Sequence, residues 1–478
     1  MQIKYAFLTL VFTSILFSCT RKITPQQSQA NTAGSVNKGD VQVWLTEGNK
    51  SALFQQQDAI GFFDVKNQLP TIEVDSVQRF QEIDGFGFCL TDGSAQLINA
   101  MASADKTKLL NELFSTKGNS IGISYIRVSI GASDLSSKVY SYDDLPAGQT
   151  DPDLSKFSID ENKTDLIPIL KMILQINPQI KILGSPWSAP VWMKDNKSSV
   201  GGSLEKQYYD AYANYFVKYI QAMKAEGITI DAITPQNEPL NPKNNPSMYM
   251  DATAQADFIK SSLGPAFEKA GISTKIICYD HNADVPEYPL TVLQDAGARK
   301  YVDGSAFHLY GGDISALSQV HQAFPDKNIY FTEQYTGSGS SFDGDLSWAI
   351  ENLIIGATKN WSRNVLEWNL ASDPNLAPHT DGGCTTCLGA VTVNGNAITR
   401  NQSYYIIAHA SKFVRPGSRR ISTTDVPGLA NVAFLTPDGK KVLVVINTSK
   451  QLQQFTFKFN GKIAPASLNP GAVATYVW

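Results

Sequence analysis

The sequence predicts an α/β protein, a (β/α)8 TIM barrel with an attached small β-sandwich. Between residues 81 and 400, short β-branched runs alternate with amphipathic helical segments, as in repeated βα units. After residue 400 the helical patterns largely stop, and short alternating strands follow. A length of 478 residues is enough for one large domain and a smaller one.

The first residues, 1–19, have the features of a lipoprotein signal. Lys4 gives a positive start, and residues 6–17 form an apolar run that is too short to span a bilayer as a stable helix. The run ends in Leu16-Phe17-Ser18-Cys19, which resembles a bacterial lipobox, so cleavage there would leave a lipidated Cys19. The alternative is an ordinary secretory signal with a chance cysteine. We therefore expect an exported bacterial lipoprotein, anchored in the cell envelope and in contact with the membrane only through its lipid.

The next two segments are predicted to be a tether and the start of the sandwich. Residues 20–40 are rich in Gln, Ser, Asn and Thr with almost no large apolar residue, which is typical of a flexible tether. Residues 41–80 contain alternating strand patterns at 41–45 and 71–74. We expect these strands to join the sandwich formed by residues 401–478, whose own strands are predicted at 433–435, 442–446, 455–459 and 473–478.

Eight strands are predicted for the barrel, and helical patterns lie between them. The clearest helix carries Tyr208, Tyr212, Tyr215 and Tyr219 at helical spacing and is closed by Gly227. Because these tyrosines follow the 3.6-residue period, we expect them to pack rather than to bind substrate. The predicted strands cover 86–90, 123–130, 180–184, 231–235, 275–279, 305–310, 329–332 and 364–369.

The composition favours a small-molecule or glycan partner over nucleic acid. A formal net charge of -4 argues against a general nucleic-acid binder, which would carry a basic excess. Aromatic residues make up 10% of the chain, which suits stacking on sugar rings, although an aromatic-rich core explains the same value equally well. We expect a monomer.

Chemically capable side chains occur at all eight strand ends. The active site of a barrel lies where its strands end, so these side chains should converge on one face. Any one of them could be a chance loop residue, but eight strand ends together indicate a site. They include Asp92, Arg127, Asp134, Trp187, Asn237, Glu238, Asp280, His308, Tyr310, Glu333 and Trp368.

Glu238 and Glu333 are the pair that suggests glycoside cleavage. They follow strands four and seven, which lie across the barrel mouth from each other. Glycoside cleavage requires one carboxyl that protonates the leaving oxygen and one that attacks carbon or activates water. Repulsion within the pair should hold up the pKa of the acid. Asn237 should hydrogen-bond the sugar 2-OH; the alternative for Asn-Glu-Pro is a surface turn.

The motifs together resemble glycoside hydrolase family 30, whose best-known members are the lysosomal glucosylceramidases. The resemblance runs from about residue 80 to the end of the chain. It rests on Gly85-Phe86-Gly87, Thr91-Asp92, Ser185-Pro186-Trp187-Ser188-Ala189-Pro190, Tyr215-Phe216-Val217-Lys218, Asn237-Glu238-Pro239, Phe331-Thr332-Glu333, Ser411-Lys412-Phe413 and Tyr476-Val477-Trp478.

The resemblance implies that Glu238 is the acid/base and Glu333 the nucleophile of a retaining β-glycosidase. Asp92, Trp187 and Asn237 match residues that hold the terminal glucose.

Four further positions match family residues around this pair. Trp368 matches an aromatic residue beside the glucose, and His308 with Tyr310 matches a His-x-Tyr pattern near the nucleophile. Arg127 matches an arginine near the nucleophile, where its charge would keep the carboxylate ionised. A structural ion pair inside the barrel is the equal alternative for Arg127.

The segment after strand eight departs from the lysosomal members. Its Cys384 and Cys387 look more like the bacterial β-1,6-glucanase branch, and we expect a disulfide that stiffens a substrate loop. A zinc site of both cysteines with His379 and Asp381 is the alternative, but one CxxC supplies only half of the usual ligands. We expect no metal and no cofactor.

Several functions remain open at the level of sequence. The first is a β-glucosidase or β-1,6-glucanase that acts on glycans, and the second is a glucosylceramidase. A transglycosylase would use the same site with a drier acceptor subsite. A non-catalytic glycan-binding lipoprotein would have no need for two opposed carboxyls. The choice between endo and exo action depends on loop lengths.

Overall fold

The computed structural model describes residues 39–478. The predicted signal 1–19, Cys19 and most of the predicted tether 20–40 lie outside the described residues. Eight parallel strands close into a barrel, which confirms the predicted fold class. In chain order, strands one to eight are Gly85–Cys89, Tyr125–Ser129, Lys181–Ser185, Ala232–Ile233, Lys275–Ala283, Val302–Gly312, Asn328–Glu333 and Ser362–Glu367.

The inside of the barrel is a packed layer rather than a channel. Its side chains come from successive strands because alternate residues of each strand point inward. The layer consists of Tyr125, Leu183, Ala232, Ile277, Ala306, Tyr330 and Leu366, all buried.

Helices surround the barrel and supply most of the core. Tyr212, Tyr215 and Tyr219 are fully buried, so they pack as their helical spacing predicts. Their helix, Tyr209–Ala225, is followed by Gly227, whose φ of 81° suits a residue without Cβ. The other α-helices of residues 39–478 are Asp92–Ala100, Ser103–Phe114, Leu166–Ile176, Ala252–Phe258, Gly264–Ala270, Glu287–Gln294, Ala296–Arg299, Ala316–Ala323, Phe342–Ala349 and Gln402–Ser411, and the π-helical segments Ile259–Leu263 and Ile350–Ala357 follow two of them.

The last helix lies beyond the boundary that we expected at residue 400. Gln402–Ser411 packs against strand one and against the helix Phe342–Ala349, so it belongs with the barrel. All ten of its residues are buried. A helix that is buried all round has no polar face, and therefore gives no amphipathic pattern in the sequence.

Nine strands form the second module. The early strand Val41–Thr46 lies between Gln55–Ile60 and Val473–Val477, and the long strand Thr71–Ile83 pairs with Ser418–Thr423. The remaining strands are Leu429–Leu435, Lys441–Asn447, Gln453–Phe459 and Lys462–Leu468. Their shared core includes Val43, Ile72, Leu443, Phe457 and Tyr476.

Short strands also cover the carboxyl ends of the barrel. Thr336–Gly337 pairs with Cys387–Leu388, and Ala371–Ser372 pairs with Val391–Asn394, which in turn pairs with Ala397–Arg400. No helix within residues 39–478 has the length and apolar character needed to cross a membrane.

Candidate active site

The two predicted carboxylates meet at the carboxyl ends of the barrel strands. One carboxylate oxygen of Glu238, one of Glu333 and a ring nitrogen of His308 all lie within 4.8 Å of one another. The two glutamates are almost fully buried, at 7% and 6% exposure. A proton or a reacting carbon between them would therefore be in direct reach of both.

Local backbone irregularities aim these side chains into the barrel. On strand seven the pairing with strand six shifts between Phe331 and Glu333, and this bulge turns Glu333 inward. Glu238 has a φ of 44°, a conformation that is unusual for a residue with a side chain. Its backbone N–H donates to the carbonyl of Asp280 at 2.9 Å, which helps to hold this conformation.

A second bulge, on strand five, brings Asp280 into the barrel. Ile277 points inward, so simple alternation would point Tyr279 inward as well. Instead Tyr279 and Asp280 have φ values of 76° and 68°, and the register shifts between Tyr279 and His281. Asp280 is fully buried and accepts hydrogen bonds from Ser185, Thr234 and Thr332.

Arg127 joins the two bulged strands. Its guanidinium pairs with Glu333 at 2.5 Å and with Asp280 at 2.7 Å, and it also donates to Asn237 at 2.6 Å. The side chain is completely buried, with its charge 4.9 Å from the centre of the Trp187 ring. Arg127 is thus a buried ion-pair partner that holds Glu333 and Asp280.

His308 and Tyr310 complete the surroundings of the glutamates. The Nε2 atom of His308 lies 3.1 Å from Asp280, while its Nδ1 lies 3.4 Å from Glu238 and 3.7 Å from Glu333. The Tyr310 hydroxyl donates to Glu333 at 3.0 Å. Asn241, which sequence reasoning missed, donates to the other oxygen of Glu238 at 2.8 Å.

The charge distribution differs from the expectation that repulsion would hold up the pKa of the acid. Burial raises the pKa of Glu238, but the hydrogen bond and charge of His308 outweigh burial and lower it to about 2. Burial raises the pKa of Glu333, against the lowering effect of His308 and Arg127. Burial lowers the pKa of His308, but the charge of Glu333 and the bonds to Asp280 and Glu238 outweigh it and raise it to about 9. In the unliganded site the proton therefore resides on His308, next to Glu238.

Two tryptophans form an aromatic wall beside the glutamates. The rings of Trp187 and Trp368 lie 5.3 Å apart and are 2% and 5% exposed. Asn237 is held between strands by its N–H, which donates to the carbonyl of Pro186 at 2.8 Å. The side-chain oxygen of Asn237 accepts a hydrogen bond from Arg127. The N–H groups of the side-chain amide are therefore the ones left to contact a ligand.

Asp92 lies at the start of its helix, in a polar network beside the loop that carries Asp134. Its carboxylate accepts from Ser136 at 2.8 Å, from Tyr140 at 2.5 Å and from Asn162 at 3.3 Å. Burial raises its pKa to about 6, and the charges next to it are Asp165 and Glu161. Ser136 and the bond from the Gly93 N–H to the Leu135 carbonyl join this network to the Asp134 loop, and sugar binding by Asp92 stays a prediction.

Asp134 is the acidic residue that sequence reasoning left without a role. It is 6% exposed, and burial together with the charges of Glu333 and Glu238 raises its pKa to about 7. Its backbone carbonyl accepts the N–H of Thr380 at 2.9 Å. The sequence did place Asp134 near the site, because Asp134 follows the strand that carries Arg127.

Cys384 and Cys387 are joined in a disulfide, as the sequence predicts. The alternative zinc site would need both cysteines as thiolates, and these sulfurs are bonded to each other. The ring nitrogen of His379 lies 2.9 Å from the carbonyl of Thr380. Cys89 and Cys278 are free and buried.

Two family models match nearly all of the described chain. Residues 83–414 match the glycosyl hydrolase family 30 TIM-barrel domain, and residues 417–476 match the glycosyl hydrolase family 30 beta sandwich domain. The first match ends just after the helix Gln402–Ser411, in agreement with its packing on the barrel.

Known proteins with this arrangement are glycoside hydrolases. The endo-1,6-beta-D-glucanase of Neurospora crassa is 41% identical over 396 residues, which cover 79% of this chain and 81% of that protein. The lysosomal acid glucosylceramidase of Mus musculus is 32% identical over 431 residues, covering 84% of this chain and 82% of that protein. A solved structure, the endo-beta1,6-glucanase BT3312, has 38% identity and a TM-score of 0.86, and the match covers 92% of this chain and 99% of that one. The chain therefore belongs to glycosyl hydrolase family 30 and is a glycoside hydrolase.

Proposed function

We propose that this chain is a retaining endo-β-1,6-glucanase, with Glu333 as nucleophile and Glu238 as acid/base. The observation that carries the proposal is the short separation of the two carboxylates, which have oxygens within 4.8 Å of each other. Retaining enzymes separate their carboxyls by about 5–5.5 Å, whereas inverting enzymes need about 6.5–9.5 Å to admit a water. The short separation leaves room for a sugar carbon but not for an intervening water.

The assignment of roles follows from the cations around each glutamate. Glu333 is paired directly with the permanent charge of Arg127 and accepts the Tyr310 hydroxyl, so its carboxylate is held in place for attack. Glu238 has no such partner and lies beside His308, a group that can give or take a proton. A fixed cation suits a nucleophile, and a titratable neighbour suits an acid/base.

The first chemical step forms a glucosyl ester. A carboxylate oxygen of Glu333 attacks the anomeric carbon, the bond from that carbon to the bridging oxygen breaks, and the electron pair leaves on that oxygen. Glu238 supplies the proton for the leaving oxygen.

His308 supplies the proton that Glu238 needs. The Nδ1 atom of His308 is 3.4 Å from Glu238, and transfer of its proton to the carboxylate leaves a neutral imidazole with Nε2 still facing Asp280. The overall charge of the site does not change in this transfer. Glu238 can thus be protonated without uptake of a proton from solvent.

The second step returns the enzyme to its starting state. Glu238, now a carboxylate, removes a proton from water, and the water oxygen attacks the anomeric carbon. The ester bond to Glu333 breaks, and Glu333 leaves as a carboxylate next to Arg127. The proton that Glu238 took from water then passes back to Nδ1 of His308, which restores the starting protonation. Two inversions at the same carbon retain the β configuration.

The relatives support a β-1,6-glucan as the substrate. The endo-1,6-beta-D-glucanases of Neurospora crassa and Trichoderma harzianum share 41% and 37% identity with this chain, while the mouse glucosylceramidase shares 32%. The test is to incubate the protein with pustulan, a β-1,6-glucan, with glucosylceramide and with an aryl β-glucoside. We expect oligosaccharides from pustulan with the β-anomer appearing first. Cleavage of glucosylceramide but not of pustulan would replace the glucanase assignment by glucosylceramidase.

We also propose that the enzyme is an exported lipoprotein anchored through Cys19 and acts as a monomer. The lipobox-like Leu16-Phe17-Ser18-Cys19 supports the anchor. Metabolic labelling with palmitate should mark the wild-type protein but not a Cys19→Ser variant. An unlabelled, freely released wild-type protein would instead indicate an ordinary secretory signal. Light scattering should give the mass of one chain.

A further inference from the structure

His281 is a second histidine beside the acid/base Glu238. It directly follows Asp280 in the bulged part of strand five, and it is 8% exposed. Its Nε2 atom lies 4.0 Å from Oε1 of Glu238. The same oxygen has Nδ1 of His308 at 3.4 Å, whereas the other oxygen, Oε2, accepts from Asn241 at 2.8 Å. Two histidines therefore face one oxygen of Glu238.

The backbone of the loop after Glu238 fixes which nitrogen of the His281 ring carries the proton. The N–H of Leu240 donates to Nδ1 of His281 at 3.4 Å, so Nδ1 has a lone pair and no proton. Burial lowers the pKa of His281 and outweighs the charge of Glu238, so the ring is neutral at neutral pH. A neutral ring with Nδ1 unprotonated has its one proton on Nε2. An N–H group of His281 therefore faces Glu238.

The hydrogen bond that His308 offers to Oε1 is lost during the first step of the reaction. In the free enzyme Nδ1 of His308 holds the proton and can donate to Glu238. After this proton has passed through Glu238 to the leaving oxygen, Nδ1 of His308 has a lone pair, because the Nε2 proton stays with Asp280 at 3.1 Å. A lone pair and a carboxylate oxygen repel each other. His308 is thus no donor to Oε1 in the glucosyl ester.

Glu238 needs a donor at that stage, because it must be ionised to act as a base. Burial raises the pKa of Glu238, and in the free enzyme the hydrogen bond and the charge of His308 outweigh it. In the glucosyl ester His308 is neutral. Burial alone would then favour a protonated Glu238, which could not take a proton from water.

The other charged or titratable groups around this pair do not supply the missing donor. The aspartates are acids, and negative charge raises the pKa of a nearby carboxyl. Glu333 is an uncharged ester at this stage, and the tyrosines stay neutral because burial raises their pKa. The groups concerned are Asp134, Asp280, Asp284, Glu333, Tyr279 and Tyr310.

We infer that Oε1 of Glu238 changes its hydrogen-bond donor between the two steps, from Nδ1–H of His308 in the free enzyme to Nε2–H of His281 in the glucosyl ester. The 4.0 Å from Nε2 to Oε1 is too long for a hydrogen bond in the free enzyme, and rotation of the carboxylate away from His308 would shorten it. His281 acts on the substrate only through Glu238, so it is a positioning residue. The inference rests on the proposed double displacement.

Two substitutions separate the two contacts of His281. His281→Gln places an amide N–H near the position of Nε2, so it keeps a donor for Glu238. His281→Asn places its amide near the position of Nδ1, so it keeps an acceptor for the Leu240 N–H but lacks the donor. Thermal unfolding of both variants measures whether the fold is retained.

The assay uses dinitrophenyl β-glucoside, whose leaving group needs no acid, so that hydrolysis of the ester limits kcat. In His281→Asn we expect the acid limb of the pH profile of kcat to move up by about 1–2 pH units, as for the loss of one hydrogen bond to a carboxylate. The acid limb of kcat/KM should stay in place, because it reports on the free enzyme, in which His308 is the donor. His281→Gln should keep both limbs.

The opposite pattern, with a shift of kcat in His281→Gln alone, would show that the residue only holds the Leu240 backbone, and it would overturn the inference. An equal shift in both variants, or a shift in neither, would overturn it as well. His321→Asn is the matched control. His321 lies on the helix Ala316–Ala323 and stacks on Trp361 with 3.9 Å between the ring centres, so its replacement should leave the profile of kcat unchanged.

The anomer that the wild type releases first tests the proposed function separately. Release of α-glucose would contradict the double displacement itself. Release of β-glucose, together with an unshifted kcat profile in His281→Asn, would contradict only the exchange of donors at Glu238.

Discussion

Arg127 and Glu333 form an ion pair of 2.5 Å inside the barrel, with no exposure of the arginine side chain. The same guanidinium binds Asp280 at 2.7 Å, so one cation is shared by two buried carboxylates. Burial raises the pKa of Asp280, but the charges of Arg127 and His308 outweigh burial and hold it well below its ordinary value. The nucleophile is thus kept in place by strand two and strand five as well as by its own strand.

Replacement of Arg127 by Gln should damage both stability and activity. The change leaves Asp280 and Glu333 buried without their permanent cation, which should cost about 3–5 kcal/mol in the free energy of unfolding. Chemical denaturation measures that loss, and kcat on an aryl β-glucoside should fall with it. Arg400→Gln is the matched control, since Arg400 pairs with Glu112 at a partly exposed position far from the glutamates. Equal stability of the two variants would contradict the role given to Arg127.

The pH dependence of catalysis should depend on His308. The proton shared by His308 and Glu238 is retained until the pH approaches the raised pKa of His308, about 9, so kcat/KM should fall only as the pH rises through that region. In a His308→Asn variant the proton must reside on Glu238 alone. The pKa of Glu238 rises when the His308 cation is removed, but the ordinary pKa of a carboxyl lies well below that of the protonated His308, so the alkaline fall should still move to lower pH. The shape of the pH profile of kcat/KM tests whether His308 holds the proton, independently of any general loss of activity. An unchanged alkaline limb would show that His308 does not hold the proton.

Asp134 and Asp92 should respond differently to the same substitution. Asp134→Asn removes a buried carboxylate whose pKa is raised by burial and by the charges of both glutamates, so we expect kcat/KM to fall by about 10- to 100-fold, as for the loss of a charged hydrogen bond to substrate. Asp92→Asn should lower the melting temperature, because the carboxylate binds Ser136, Tyr140 and Asn162. The KM of this variant tests the predicted contact of Asp92 with glucose, and an unchanged KM would contradict that contact.

Tyr310→Phe tests the second contact of the nucleophile. The variant removes only the hydroxyl that donates to Glu333 at 3.0 Å and leaves the ring in place. We expect kcat to fall about tenfold, as for the loss of one hydrogen bond to a charged group, with little change in melting temperature. Tyr335→Phe, at a neighbouring exposed position, is the control and should keep its kcat.

Much of the architecture was predictable because it rests on local periodicity. The β-branched runs and the spacing of Tyr212, Tyr215 and Tyr219 gave the strands and the longest barrel helix. The helix Gln402–Ser411 was missed because it is buried on every side and has no polar stripe. The extra length of strands five and six was missed for a similar reason, since their ends carry functional side chains in place of an alternating pattern.

The contents of the site were less predictable than their position. Because the active site of a barrel lies at the strand ends, the sequence predicted that four side chains lie close together, and the structure places them within one cluster. They are Glu238, Glu333, His308 and Arg127. The bulges that turn Asp280 and Glu333 inward depend on pairing between distant strands, which no single segment encodes. The low pKa of Glu238 likewise depends on a histidine 70 residues away in the chain. Through-space charge, rather than residue type, decides where the proton resides.

Azide rescue of the two glutamate variants tests the assignment of roles most directly. In Glu238→Ala, azide should attack the glucosyl ester on Glu333 and restore turnover of an aryl β-glucoside with a β-glucosyl azide as product. In Glu333→Ala, azide should take the place of the nucleophile and give the α-glucosyl azide. Rescue with the opposite anomers, or release of α-glucose as the first product of the wild type, would contradict Glu333 as the nucleophile of a retaining glycosidase.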